Sequence, residues 1–255
     1  MIKFSACIEA LYKDVPFVER IEKVAAVGMK AFEFWGWGNK DIDAIKAAKD
    51  KAGIELATFG ADVGGALVDP SNRDKIPEAL KQSVEVAHKL DCKRMLVTTG
   101  NEIEGVRRGN QHQSIVDGLK VAAEILEAEG ITLSLEPLNI LVNHKGYYLA
   151  TSEEGFQIVD QVGSPSVGLL YDIYHQQITE GNLIANITGN IEKIAHFHVA
   201  DVPGRHEPGT GEINYKNVFK SISESGYDGF VGLEFWPQCP DDDALKMLLD
   251  MTADM

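Results

Sequence analysis

Short apolar runs of strand type recur eight times along the chain: IKFSACI (2–8), KAFEFW (30–35), IELATF (54–59), KRMLVTT (93–99), ITLSLE (131–136), VGLLYD (167–172), IAHFHVA (194–200) and FVGLEF (230–235). Between them the apolar spacing changes to three or four, as in FVERIEKVAAVG (17–28), IPEALKQSVEVAHKL (76–90), SIVDGLKVAAEILEAEG (114–130) and SEEGFQIVDQVG (152–163). That is the period of a helix with one face to bury. Gly28, Gly53, Gly130, Gly163 and Gly226 close helical segments, and the next strand starts within a few residues. Such helix-to-strand turns are tight. Eightfold alternation with no Pro/Gly/Ser linker reads as an α/β fold, and it predicts a closed (β/α)8 barrel over 1–255 as a single domain. An open, doubly wound sheet satisfies the same alternation. Its dinucleotide-binding form is disfavoured because no G-x-G-x-x-G follows the first strand.

Composition narrows the function classes. A hydrophobic content of 44% supplies a core, and a formal charge of -15 argues against a nucleic-acid surface, which needs a local excess of Lys and Arg. Cys7, Cys92 and Cys239 are too few and too scattered for a disulfide framework or a zinc knuckle. They predict a reducing, cytoplasmic compartment. The N-terminal MIKFSACIEALYKDV is interrupted by charge too early for a signal peptide, and no apolar run reaches membrane-spanning length. The expected partner is a small molecule, with neither nucleic acid nor membrane. Self-association as a homo-oligomer is left open.

In a closed barrel, the C-terminal strand ends converge on one face. Strand five ends on Glu136 and strand six on Asp172, while strands seven and eight carry His198 and Glu234 near their ends. A single strand-end carboxylate has a bland explanation as a helix cap or a surface ion pair. Three together raise one another's pKa unless a cation sits among them. Oxygen-rich ligation with one imidazole suits Mn²⁺, Mg²⁺ or Co²⁺ better than structural zinc.

The stretches SLEPLN (134–139), YDIYHQQITEGNL (171–183), HFHVADVPGRHEPGTGEINY (196–215) and GLEFWP (232–237) resemble the hydroxypyruvate isomerase family, within the xylose isomerase-like TIM barrels. The resemblance implies one divalent ion held by Glu136, Asp172, His198 and Glu234, with Glu136 and Glu234 as the acid/base pair. It implies an isomerase that moves a proton next to a carbonyl in a small hydroxy-carbonyl acid. Hydroxypyruvate isomerases can carry Gln where this chain has His198, whereas sugar epimerases carry His, so a ketose 3-epimerase is the competing outcome. A phosphodiester-cleaving nuclease of the endonuclease IV type wants more histidines than the seven present and a basic face. A non-catalytic sugar-binding barrel would not need four intact strand-end ligands.

Other residues carry weaker expectations. His175 is a candidate donor to a substrate oxygen, or a solvent-facing helix-start histidine. Arg205 is a candidate for reading a substrate carboxylate through its planar fork, or a partner of Glu207 or Asp201. His196 shares a strand face with His198 and reads as a deeper, satisfied histidine. Glu33 and the Arg107–Arg108 pair either reach the pocket or lie in solvent. Phe32, Phe34, Trp35 and Trp37 form a pocket wall or core, Glu212 orients a glycine-rich loop or begins a helix, and residues 61–70 form a lid or a plain connection.

Overall fold

The computed structural model describes residues 2–254. Eight parallel strands close into a barrel in chain order, the arrangement expected from the alternation. The strands are β1 Lys3–Cys7, β2 Ala31–Gly36, β3 Glu55–Gly60, β4 Arg94–Val97, β5 Thr132–Leu135, β6 Val167–Asp172, β7 Ile194–Val199 and β8 Phe230–Leu233. Around them run α1 Glu19–Ala26, α2 Ile42–Ala52, α3 Ile76–Lys89, α4 Arg108–Glu129, α5 Ser152–Val162, α6 Ile173–Thr179, α7 Leu183–Gly189, α8 Tyr215–Glu224 and α9 Asp241–Met251. No helix among the described residues is long and apolar enough to cross a membrane.

Helix ends follow local chemistry. Asp41, Thr151 and Asn214 each accept a backbone N–H in the first turn of α2, α5 and α8. At the other end of α4, Gly130 takes φ +63°, where a side chain would strain the backbone and glycine does not. The buried faces of the helices (Leu80, Leu119, Phe156 and Phe219 among them) pack on the outward strand residues to form the main core.

The barrel interior is less apolar than its surroundings. In-register parallel partners point the same way, and the pairs Glu33↔Thr58, Leu96↔Ser134, Leu170↔His196 and Ser5↔Gly232 place a polar layer inside. Ser5, Thr58, Ser134 and His196 are completely buried there. Branched apolar residues usually fill such layers. Here polar side chains form the floor beneath the mouth.

Candidate active site

The four predicted strand-end residues meet at the C-terminal mouth. Glu136 and Glu234 each lie one residue beyond their strand, yet their backbones continue the ladder, with Glu136 N–H donating to Val97 O at 3.0 Å and Glu234 N–H to Val199 O at 3.2 Å. Asp172 ends β6 and caps α6 by accepting from His175 N–H at 3.1 Å. It pairs in register with His198 on β7. One ligand-type atom from each of the four residues lies within 4.8 Å of the others. All four side chains are buried.

Two features make this set fit a divalent ion. Ligands held at about 2.1 Å from one ion lie up to about 4.2 Å apart, so a contraction of a few tenths of an ångström brings these atoms into a coordination sphere. His198 Nδ1 is buried, has no hydrogen-bond partner, and lies 3.4 Å from Glu136 Oε1 and 3.5 Å from Glu234 Oε2. A buried nitrogen facing carboxylates needs either a proton or a cation.

The carboxylates differ in their surroundings. Burial raises the Glu136 pKa, and repulsion from Glu234 and Asp172 adds to that against the opposing pull of His198. Asp172 is likewise raised, first by burial and then by Glu234, although Arg205 counters. Glu234 goes the other way: burial opposes ionisation, but Arg205, His198 and the Trp35 indole N–H outweigh it. Trp35 Nε1 donates to Glu234 Oε1 at 2.6 Å. The acids are thus biased toward opposite protonation states, a condition for acid/base division of labour.

Arg205 occupies the loop after β7 with its guanidinium over the carboxylates. Its Nη2 donates to Glu234 Oε2 and lies 3.7 Å from Asp172 Oδ2. Neither Glu207 nor Asp201 takes the guanidinium: Glu207 accepts from Gln238 N–H, and Asp201 accepts from the backbone of Val202, Gly209, Gly211 and Ile213. Arg205 itself sits at φ +61°, an uncommon backbone for a residue with a side chain. Bonds from its N–H to Asp201 O at 3.0 Å and from Trp236 N–H to its carbonyl at 2.9 Å hold it there. The guanidinium lies near the rings of Tyr174 and Trp236, 5.2 and 5.1 Å from their centroids. Its Nε is buried without a partner.

His175 is neither in solvent nor on the cavity wall. It is fully buried in α6, and its Nδ1 accepts from Asn139 N–H at 3.1 Å, which puts the ring proton on Nε2, 3.6 Å from Asp172 Oδ2. Burial, then Arg205, lowers its pKa and keeps it neutral. The cavity above the acids measures about 500 Å³ and is lined by Trp35, Leu96, Leu138, His144, Arg205 and Trp236, among others. Sequence reading passed over His144 and Trp236. Their signal is position alone, since both follow strand-end glutamates in connections that open on this face. The remaining candidates lie elsewhere. Arg108 bonds Glu154 and stands over the Tyr148 ring. Phe32 and Phe34 are core, and Trp37 donates to Ser83 Oγ at 3.1 Å. Glu212 accepts from Gln177 on the surface. The 61–70 stretch is a packed connection, tied by Val68 N–H to Thr99 O and by Ser114 Oγ to Leu67 O.

Glu33 lies below the mouth, fully enclosed. Its carboxylate accepts from Ser5 Oγ at 2.6 Å and contacts His196 Nε2 at 3.0 Å and His198 Nε2 at 2.9 Å. Burial disfavours its charge, yet His198 and His196 hold it well below the usual carboxylate range. Room for it comes from Gly232, where a Cβ would fall 2.4 Å from Glu33 Oε1 and 2.6 Å from His198 Cδ2. Gly232→Ala should therefore cost about 1–3 kcal/mol by overpacking, read as a lower denaturation midpoint in urea with an unchanged slope. An unchanged midpoint would mean that the floor yields freely.

The xylose isomerase-like TIM barrel family model matches residues 21–255. Hydroxypyruvate isomerase of Escherichia coli (strain K12) is 31% identical, with 97% of this chain and 98% of that protein covered. The 2-oxo-tetronate isomerase of Haemophilus influenzae is 30% identical over 93% of this chain and 95% of its own. Among solved structures, an AP endonuclease, family 2, from Brucella melitensis superposes with a TM-score of 0.93 at 28% identity, covering 98% of this chain and 99% of that one. Full-length similarity to the two isomerases, on a barrel of this topology, shows that the chain is an isomerase belonging to the hydroxypyruvate isomerase family within the xylose isomerase-like TIM barrels.

Proposed function

We propose that this chain interconverts a small hydroxy-carbonyl acid with its isomer, hydroxypyruvate with tartronate semialdehyde or a related 2-oxo acid, using one divalent ion. The observation that carries the acid preference is Arg205. Among the described residues it is the only Lys or Arg lining the cavity, and its fork is already oriented while its Nε has no partner. Such a guanidinium suits a substrate carboxylate. The names of the bacterial relatives, a hydroxypyruvate isomerase and a 2-oxo-tetronate isomerase, support the same substrate class. The lone cation and the overall charge of -15 weigh against a nucleic-acid duplex. The free cysteines support a cytoplasmic setting.

Glu136, Asp172, His198 and Glu234 would hold the ion, and Mn²⁺, Mg²⁺ or Co²⁺ suits such a set. When bound, it would supply Lewis-acid stabilisation of negative charge developing on the substrate's carbonyl oxygen. The rest falls to the chain. For hydroxypyruvate, one proton leaves C3 and one is delivered to C2 while the hydroxyl proton passes between the two oxygens, so atoms balance with no co-substrate. Glu136 and Glu234 handle the carbon-bound protons, their unlike environments favouring one as acid and the other as base. Asp172, braced by His175 and by the first turn of α6, stays fixed as a ligand. The buried site limits water near the carbanionic centre.

His198 favours a second reading, ketose 3-epimerisation, because that imidazole is what sugar epimerases carry. Assay of Mn²⁺-supplemented protein against hydroxypyruvate, 2-oxo-tetronates and free ketoses separates the two. The acids should turn over fastest, and Arg205→Ala should reduce kcat/KM on acids at least ~10-fold more than on uncharged ketoses, the difference expected of a charged hydrogen bond. Equal losses on both substrate types would end the case for an acid.

A further inference from the structure

One buried charge has no role in the site as described: Glu33, on β2, beneath the four ligands. We propose that Glu33 is a positioning residue which holds the ring proton of His198 on Nε2, so that Nδ1 presents a bare lone pair to the ion-binding space; the ion itself rests on the function proposed above.

The geometry points there in three ways. First, His198 faces two groups of carboxylates with its two nitrogens: Nε2 is 2.9 Å from Glu33 Oε1, and Nδ1 looks toward Glu136 and Glu234. A neutral imidazole carries one proton, and the nitrogen that keeps it cannot ligate. Second, Glu33 Oε1 and His198 Nε2 are both buried and neither has another hydrogen-bond partner. At 2.9 Å, each is the polar group within reach of the other. Third, Glu33 is itself fixed. Its Oε2 is held by Ser5 Oγ and His196 Nε2, and Gly232 leaves the space that its carboxylate fills. His196 thus acts as a brace two residues before His198 on the same inward face of β7, and its own Nδ1 has no hydrogen-bond partner.

A purely structural reading of Glu33 does not account for its cost. A fully enclosed carboxylate in a barrel interior is expensive to keep, and an apolar residue of similar volume would fill the layer without desolvating a charge. Carboxylates behind metal-bound histidines set which nitrogen is free and how basic it is, typically at a gain of ~10–100-fold in metal affinity. The trimming of β8 to glycine at position 232 is explained by the same arrangement, since any side chain there would displace both Glu33 and His198.

The test uses the full chain. Nitrogen-15 spectra of the metal-free protein, recorded where His198 is neutral, should show a single tautomer protonated at Nε2, and Glu33→Gln should convert it to a mixture. Titration calorimetry with Mn²⁺ should show ~10–100-fold weaker binding in Glu33→Gln than in wild type. In a His198→Gln background, which has no tautomer to set, the same Glu33→Gln change should cost less than about twofold. Wild-type His198 protonated at Nδ1, or Mn²⁺ binding by a folded Glu33→Gln within twofold of wild type, overturns the proposal. The wild-type spectrum decides even if Glu33→Gln does not fold. A wild type with the Nε2 tautomer and no Mn²⁺ binding would leave Glu33 in this role and instead bring down the metal-dependent function.

Discussion

Glu136→Gln should lose at least ~10²-fold in turnover while keeping its fold, the loss expected when a positioned acid/base group is removed. The replacement is clean because Glu136, unlike Glu234, accepts no hydrogen bond from Arg or Trp; its Oε1 lies 3.4 Å from His198 Nδ1. Glu234→Gln should lose as much activity and also stability. There the new amide would turn an N–H toward either Arg205 Nη2 or Trp35 Nε1, both of which donate to the native carboxylate. A buried donor facing a donor costs about 1–3 kcal/mol. Turnover, circular dichroism and thermal melting of the two variants separate these effects. Wild-type product formed in heavy water should also carry solvent deuterium at the carbon that receives the proton. Retained turnover in Glu136→Gln would reduce that residue to a strand end, and product free of deuterium would point to a shielded proton or to hydride transfer.

Asp172→Asn should abolish retention of Mn²⁺ on desalting, a larger effect than the ~10–100-fold loss typical of residues behind the ligands. Asn is as good a helix cap as Asp, so the bond to His175 N–H and the start of α6 are preserved. Burial and the nearby Glu234 already push the Asp172 pKa up, so the neutral isostere removes an unfavourable charge from the apo protein. Against that gain, an Asn that keeps the cap turns its amide N–H toward His175 Nε2 and Arg205 Nη2, 3.6 and 3.7 Å from the native Oδ2, so the melting temperature in chelator should stay close to that of wild type. Elemental analysis after desalting checks the first part and melting in EDTA the second. Equal Mn²⁺ content in the variant and wild type would remove Asp172 from the ligand set and with it the metal site as drawn.

These expectations rest on residues that differ in how far the chain alone discloses them. Glu136, Asp172, His198 and Glu234 were legible because strand ends in a barrel share one mouth whatever the details of packing, so counting strands brings them together once the sheet closes. Helix boundaries were less so. α4 begins at Arg108, six residues before the apolar period starts at Ser114, because Gln111 is buried there by bonds to the backbone of Ile103 and Val106 rather than by apolar contact. Likewise residues 61–70 have the glycines of a lid, but Val63, Leu67 and Val68 are buried, which only the position of α4 against them decides.

The alternation of apolar runs and helical periods determined an α/β architecture with acids at its strand ends, since both depend on local patterns; that the sheet closes into a barrel rather than staying open, and so brings those ends to one mouth, was decided by the tertiary structure. Glu33, His196 and Arg205 needed the tertiary structure. Glu33 in FEFW has the look of a solvent-facing strand residue, and the histidine that contacts it lies 163 positions away, brought beside it only when the sheet closes and β2 turns that face inward. Arg205 had several carboxylates within reach along the chain. The left-handed backbone at that residue, held by Asp201 and Trp236, aims the guanidinium at Glu234 instead, because direction at a loop position is set by dihedral angles and cross-strand bonds that composition does not encode.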